Sequence, residues 1–202
     1  MNRKYLDTRR MVLLAMLSGI LLMMSFTPLG YLNIGPLAIS LNMIPVAIGA
    51  VALGPGGGAF LGAVFGMTSS LQCVGIGGIS TMGVILFEIN PILTILQRFA
   101  TRVLAGWLSG VVYRELRKLH FQYARYIAGF SAALLNTVFF MTALVLLFGQ
   151  TQYLQELIAG RNVLVFAISF VGINAVVELF STTIVTGAVC KALEQLKMIG
   201  GK

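Results

Sequence analysis

A chain of 202 residues that is 58% hydrophobic and only 10% charged cannot wet the surface of a water-soluble domain of its size, which carries about 25% charged residues. Its formal charge of +8 is not a nucleic-acid signal, because the basic residues stand in short clusters between apolar runs and not along one face. What remains is a single membrane domain, residues 1–202, built of helices: backbone in lipid must satisfy its own hydrogen bonds, and the alternating pattern of a barrel is missing.

The first predicted helix covers about 8–26 and follows Arg3, Lys4, Arg9 and Arg10. A signal peptide begins the same way. Without a clear small-residue cleavage site, and with further apolar runs behind it, the segment reads as a retained span. A Pro- and Gly-punctuated stretch, 27–36, leads to a second helix over about 41–53, short for a full crossing. The run Gly54-Pro-Gly-Gly-Gly58 turns the chain into a third helix over about 59–71. A second Gly-rich segment, about 72–90, ends at Asn90-Pro91, a favourable helix start. The fourth helix extends over 91–118 and the fifth over 123–148. A polar connection, 149–162, precedes the sixth, over 163–196.

Basic residues set the orientation. Arg3, Lys4, Arg9 and Arg10 precede the first helix; Arg114, Arg117, Lys118 and Arg125 flank the turn between the fourth and fifth; Lys191, Lys197 and Lys202 close the chain. With six spans these clusters share one side, which the positive-inside rule makes cytoplasmic, while the opposite connections carry only Arg161. The expected fold is therefore an all-α membrane protein, a bundle of six transmembrane helices with both termini cytoplasmic. Tyr5, Tyr113, Tyr123 and Tyr126 near the inner boundary, and Tyr31 and Tyr153 near the outer one, agree. Cys73 and Cys190 fall toward opposite faces, which argues against a disulfide.

Several polar groups are then placed inside the membrane. Arg98 and Arg102 lie one turn apart on one face of the fourth helix, roughly 10 and 16 Å below the outer surface. Asn174 and Glu178 repeat that spacing on the sixth, and Asn136 on the fifth lies near mid-membrane. A charge at the centre of a span costs about 2.5–3.5 kcal/mol or more, so each needs a partner or a wet cavity. Two readings stand. In one, Arg102 and Glu178 form a structural ion pair between the fourth and sixth helices. In the other, the polar groups line a cavity open to the outside. Glu88 falls in a loop, so the expected counterpart of Arg98 is a ligand carboxylate held through two parallel hydrogen bonds. Asn42, Asn136 and Asn174 each offer donors and an acceptor to hydroxyl or amide groups, or bond between helices. A small, polar, anionic solute fits this set.

Ala15 and Gly19 in the first helix, and Gly58, Gly62 and Gly66 in the third, follow the small-xxx-small spacing that lets helices approach closely. For the third helix, packing within the bundle is the expectation. The first helix either packs inward or presents a flat patch to a partner protein. Neither a phosphate-binding Gly-x-x-x-x-Gly-Lys-[Ser/Thr] nor a catalytic triad nor a Cys/His cluster is present, so an enzyme, a bound cofactor and a metal are not expected. Gly54 to Ala59 loosely follows a dinucleotide fingerprint but joins two membrane helices. His120 sits in a basic inner turn.

The residues carry a resemblance over nearly the whole length. The stretch from Phe26 to Ala50, FTPLGYLNIGPLAISLNMIPVAIGA, the stretch from Leu53 to Gly66, LGPGGGAFLGAVFG, Asn90-Pro91 with Arg98, Asn136-Thr137, and Asn174 with Glu178 together resemble the substrate-binding S components of energy-coupling factor (ECF) vitamin transporters. Within that family the chain looks most like the pantothenate-specific branch, although folate and cobalamin members share the architecture. The resemblance implies a vitamin-binding component of a prokaryotic cell membrane that works with a transmembrane coupling subunit and two cytoplasmic ATPases. It implies that Ala15 and Gly19, a variant of the family's Ala-x-x-x-Ala, meet the coupling subunit, and that 27–40 and 72–89 form a lid. Pantothenate suits the residues, with one carboxylate for Arg98 and hydroxyls and an amide for Asn42, Asn136 and Asn174; the single Trp107 lies too far inward for aromatic stacking there. A stand-alone secondary carrier with Glu178 as proton relay, and a non-transporting scaffold, are the competing readings.

Overall fold

The computed structural model describes residues 3–27, 30–33, 38–77, 80–160 and 162–196; Arg161, Lys197 and Lys202, used above for orientation, lie outside them. Among the described residues the chain forms eight α-helices and one small antiparallel ribbon. The helices are α1 (Arg3–Phe26), α2 (Met43–Leu53), α3 (Pro55–Leu71), α4 (Thr81–Ile89), α5 (Pro91–Lys118), α6 (Ala124–Phe148), α7 (Gln152–Ile158) and α8 (Val163–Gln195). Four segments are long and apolar enough to cross a membrane: Thr8–Phe26, Pro55–Val74, Ala124–Phe148 and Asn174–Gln195. The ribbon, β1 (Tyr31–Asn33) and β2 (Ala38–Ser40), pairs Tyr31 with Ser40 and Asn33 with Ala38 in the punctuated stretch between α1 and α2.

The short α2 is the centre of the bundle. It packs against α1, α3, α5, α6 and α8, and Met43, Pro45, Val46, Ala47, Gly49 and Ala50 along it are buried. A helix walled by protein on every side carries apolar residues all round and has no need of lipid-spanning length. That explains why this segment reads as apolar yet too short.

The α3–α5 contact rests on glycine. A Cβ at Gly58 would land on the Gly106 carbonyl, one at Gly62 on the Arg102 carbonyl, and one at Gly66 would lie 2.8 Å from Phe99 Cα. The pairs run in opposite directions along the two helices, so α3 and α5 are antiparallel with backbones touching over two full turns. The glycines expected to pack inside the bundle do so. This approach brings the C-terminal turn of α3 level with the N-terminal third of α5, where Arg98 sits, and the middle of α3 level with Arg102.

Three features depart from the sequence expectation. The segment 72–90, read as a Gly-rich connection, contains α4, begun by the Ser80 hydroxyl accepting from Gly83 N at 3.3 Å; Glu88 therefore stands exposed on a helix and not in a loop. The polar connection 149–162 contains α7, capped by Thr151. Met82 and Leu86 of α4 and Leu154 and Ile158 of α7 bury together with Met141, Leu144 and Phe148 of α6, so the two short helices close one end of the bundle. Finally, α8 is not continuous: its helical geometry breaks at Gly172. Cys73 and Cys190 are buried free thiols, in line with the argument against a disulfide.

Candidate functional site

The buried face of α5 is polar where a span should be apolar. Thr94, Gln97, Arg98, Thr101 and Arg102 recur at three- and four-residue steps and are all buried. Arg98, 5% exposed, points into the bundle and not to the lipid headgroups. Its Nη1 donates to Ser69 Oγ at 2.8 Å and Ser69 O at 3.3 Å on α3, and its Nη2 donates to Ser80 Oγ at 3.0 Å at the start of α4. Three hydrogen bonds to two other elements thus fix one guanidinium. The fit leaves no room at Gly83, where a Cβ would stand 2.6 Å from Arg98 Nη2 and 2.9 Å from Cys73 Sγ.

Arg102, one turn further in, is 7% exposed. It donates from Nη1 to the Arg98 carbonyl at 2.8 Å, and its guanidinium lies 4.6 Å from the centre of the Phe65 ring and 5.8 Å from that of Phe140. Stacking on two aromatic faces is a setting in which arginine holds its charge away from water. Glu178 on α8, 8% exposed, accepts from Asn136 Nδ2 on α6 at 3.2 Å. Ion pairs among the described residues do not include Arg102 with Glu178. The polar bond that ties the bundle here is Asn136–Glu178, between α6 and α8. Asn174 is buried on α8 two residues beyond the break at Gly172.

Asn42, immediately before α2, is wholly buried. It makes no capping bond, and neither Nδ2 nor Oδ1 has a hydrogen-bond partner among the described residues. Gln97 Oε1 and Asn136 Oδ1 share that condition, although Gln97 Nε2 reaches the Phe140 carbonyl at 3.4 Å. An amide buried without partners costs about 1–3 kcal/mol, so four such atoms, one of them on Gln97 beside Arg98, point to polar company from outside the chain. Around it, Gln72 Nε2 donates to the Ser25 carbonyl at 2.8 Å and the Ser25 and Thr68 hydroxyls lie 3.1 Å apart, which ties α1 to the end of α3.

All six candidates, Asn42, Arg98, Arg102, Asn136, Asn174 and Glu178, are therefore buried. Arg98 and Arg102 adjoin through backbone, and Asn136 and Glu178 are directly bonded. Gln97, Ser69 and Ser80 were not singled out from sequence. The first was legible, since it continues the polar stripe of α5; the two serines were not, since nothing in the chain foretells that they converge on Arg98. Ala15 and Gly19 lie exposed on the outer face of α1, and a Cβ at Gly19 meets nothing within 4 Å. Trp107 is half exposed on α5, away from these groups.

Residues 9–189 match the family described as ECF transporter, substrate-specific component. The chain is 28% identical over 195 residues to the pantothenate transporter PanT of Leuconostoc mesenteroides, an alignment that covers 92% of each protein.

Proposed function

The chain belongs to the substrate-specific components of ECF transporters, and we propose that the cargo it captures is pantothenate. It is a multi-pass protein of the cell membrane that serves vitamin uptake and is not itself the ATPase. Arg98 takes the cargo's carboxylate, with Ser69 and Ser80 holding the guanidinium in place. Asn42, Gln97, Asn136 and Asn174 serve its hydroxyls and amide, and Arg102 and Glu178 line the deeper end. The observation that carries this reading is the coincidence of a buried, three-point-anchored guanidinium with buried amide atoms that find no partner among the described residues. A carboxylate beside hydroxyls and an amide is the complement of that set. The relative that shares 92% coverage is a pantothenate transporter, which supports the same choice over folate or cobalamin.

The topology that goes with it has six spans: α1, α2, α3, α5, α6 and α8, with α4 and α7 closing the outer end and both termini in the cytoplasm. Arg9, Arg10, Arg114, Arg117, Lys118, Arg125 and Lys191 then fall on one side. Partners are a transmembrane coupling subunit, met by the Ala15–Gly19 face of α1, and two cytoplasmic ATPases.

A thermal-shift screen of water-soluble vitamins on detergent-purified protein tests the cargo, since a ligand bound only by the folded state raises the melting temperature. Pantothenate is expected to stand out. Arg98→Ala should weaken its binding by about 2–5 kcal/mol, the cost of truncating one side of a buried charged pair. Panthenol, the analogue with an alcohol where pantothenate has its carboxylate, should bind wild type and variant alike. Equal pantothenate binding by wild type and Arg98→Ala overturns the role given to the guanidinium; a larger shift with another vitamin overturns the cargo.

A further inference from the structure

A second polar pocket opens at the far end of the bundle from this site. Arg98 and Arg117 are nineteen residues apart on one helix, about 28 Å along its axis. The cavity, about 300 Å³, lies between α5, α6 and α8 and is lined by Tyr113, Arg117, Phe121, Gln122, Arg125 and Glu194. Its size falls at the lower end of small-molecule sites, roughly 300–1,000 Å³.

Its polar groups form one connected set. Arg125 Nη1 donates to Glu194 Oε2 at 2.7 Å, Tyr113 Oη donates to Glu194 Oε1 at 3.4 Å, and Arg117 Nη1 donates to Tyr113 Oη at 3.2 Å. Among the described residues the lining holds two guanidiniums and one carboxylate, a net positive set. Nearby Glu115 does not offset this, because Arg114 and Lys118 engage it outside the pocket at 3.1 and 2.8 Å. A positive pocket with planar donors fixed by a tyrosine and a carboxylate favours a phosphate over a neutral guest.

The rim identifies which phosphate. Phe121 of the lining is 46% exposed, and Leu119 and Tyr123, its neighbours two residues away on either side in the chain, are 76% and 62% exposed; the Phe121 and Tyr123 rings meet edge to face with centroids 6.1 Å apart. In water such a rim is unfavourable. At a membrane boundary, aromatic rings and a leucine beside arginines are where acyl chains meet headgroups, and basic pockets between helix ends accept lipid headgroups. We propose that this pocket binds the phosphate of an anionic phospholipid, held by Arg117 and Arg125, while Leu119, Phe121 and Tyr123 contact its acyl chains. The proposal does not depend on the cargo or on which side of the membrane this end faces.

The test uses native mass spectrometry and thermal unfolding of the full-length chain in detergent, with phosphatidylglycerol, phosphatidylcholine of the same acyl chains, or inorganic phosphate added. One phosphatidylglycerol should be retained, and phosphatidylcholine should not. Arg117→Gln, at an exposed position, should lower phosphatidylglycerol occupancy about fivefold, the usual contribution of one basic side chain at an anionic lipid surface. Arg114→Gln, outside the pocket, should leave it unchanged, with circular dichroism showing both variants folded. Equal retention by the two variants overturns the site. A melting-temperature rise with inorganic phosphate as large as that with phosphatidylglycerol overturns the lipid and assigns a soluble phosphate.

Discussion

Asn42 is the residue whose state says most about the difference between a structural and a functional polar group. It is wholly buried at the threshold of the central helix, and both atoms of its amide stand without partners among the described residues. Were its task structural, it would cap α2, as an asparagine in that position commonly does; instead it makes no such bond. A nearly isosteric apolar replacement removes the buried polar atoms without opening a cavity. Asn42→Leu is therefore expected to stabilise the empty protein by about 1–3 kcal/mol while weakening pantothenate binding, seen as a higher melting temperature without ligand and a smaller shift with it. A variant that melts lower and binds normally would make Asn42 a structural residue. At this scale the sequence was informative, because a charge or amide inside an apolar run carries its own cost and so announces itself. It said little about pairing: Glu178 takes the Asn136 amide and Arg102 stacks on Phe65, choices fixed by how helices rotate against one another and not by spacing along any one of them.

Among the elements, α3 and α5 are the pair on which the site's geometry depends. Their glycine-mediated approach sets Ser69 within 2.8 Å of Arg98, and a Cβ added at Gly62 would land on the Arg102 carbonyl. Backbone cannot yield there as a side-chain tip would. Gly62→Ala should therefore destabilise the protein by ~1–3 kcal/mol or more, the range for overpacking, and should also weaken pantothenate binding, because pushing the helices apart draws Ser69 away from Arg98. Thermal unfolding and a binding titration on the same preparation check both effects; an unchanged melting temperature would mean the helices are not in backbone contact. The long helices were legible because their apolar runs exceed what a soluble core needs. The short α4 and α7 were not: glycines at 75, 77, 78 and 83 mask the first, and polar residues outnumber apolar ones around the second. Each is held by tertiary burial of two side chains, Met82 and Leu86, or Leu154 and Ile158, more than by its own propensity.

For the molecule as a whole, α1 is the outlier. Its apolar window is the least buried of the four candidate spans, its main packing partners are α2 and α3, and Met11, Val12, Met16, Ile20 and Met23 face outward around Ala15 and Gly19. Lipid alone has no use for small residues in that position, since acyl chains fill any surface; a neighbouring helix does, because small residues let backbones approach. The double variant Ala15→Leu, Gly19→Leu separates the two cases. A Cβ at Gly19 meets nothing in the chain itself, so the variant should fold, melt and bind pantothenate as the wild type does. If a coupling subunit docks on this face, two protruding leucines should weaken the complex by ~1–3 kcal/mol, on the order of 5- to 150-fold in association, and ATP-driven uptake in reconstituted vesicles should fall in step. Co-purification and uptake at wild-type levels would return this face of α1 to the lipid and leave the docking surface to be sought on another helix.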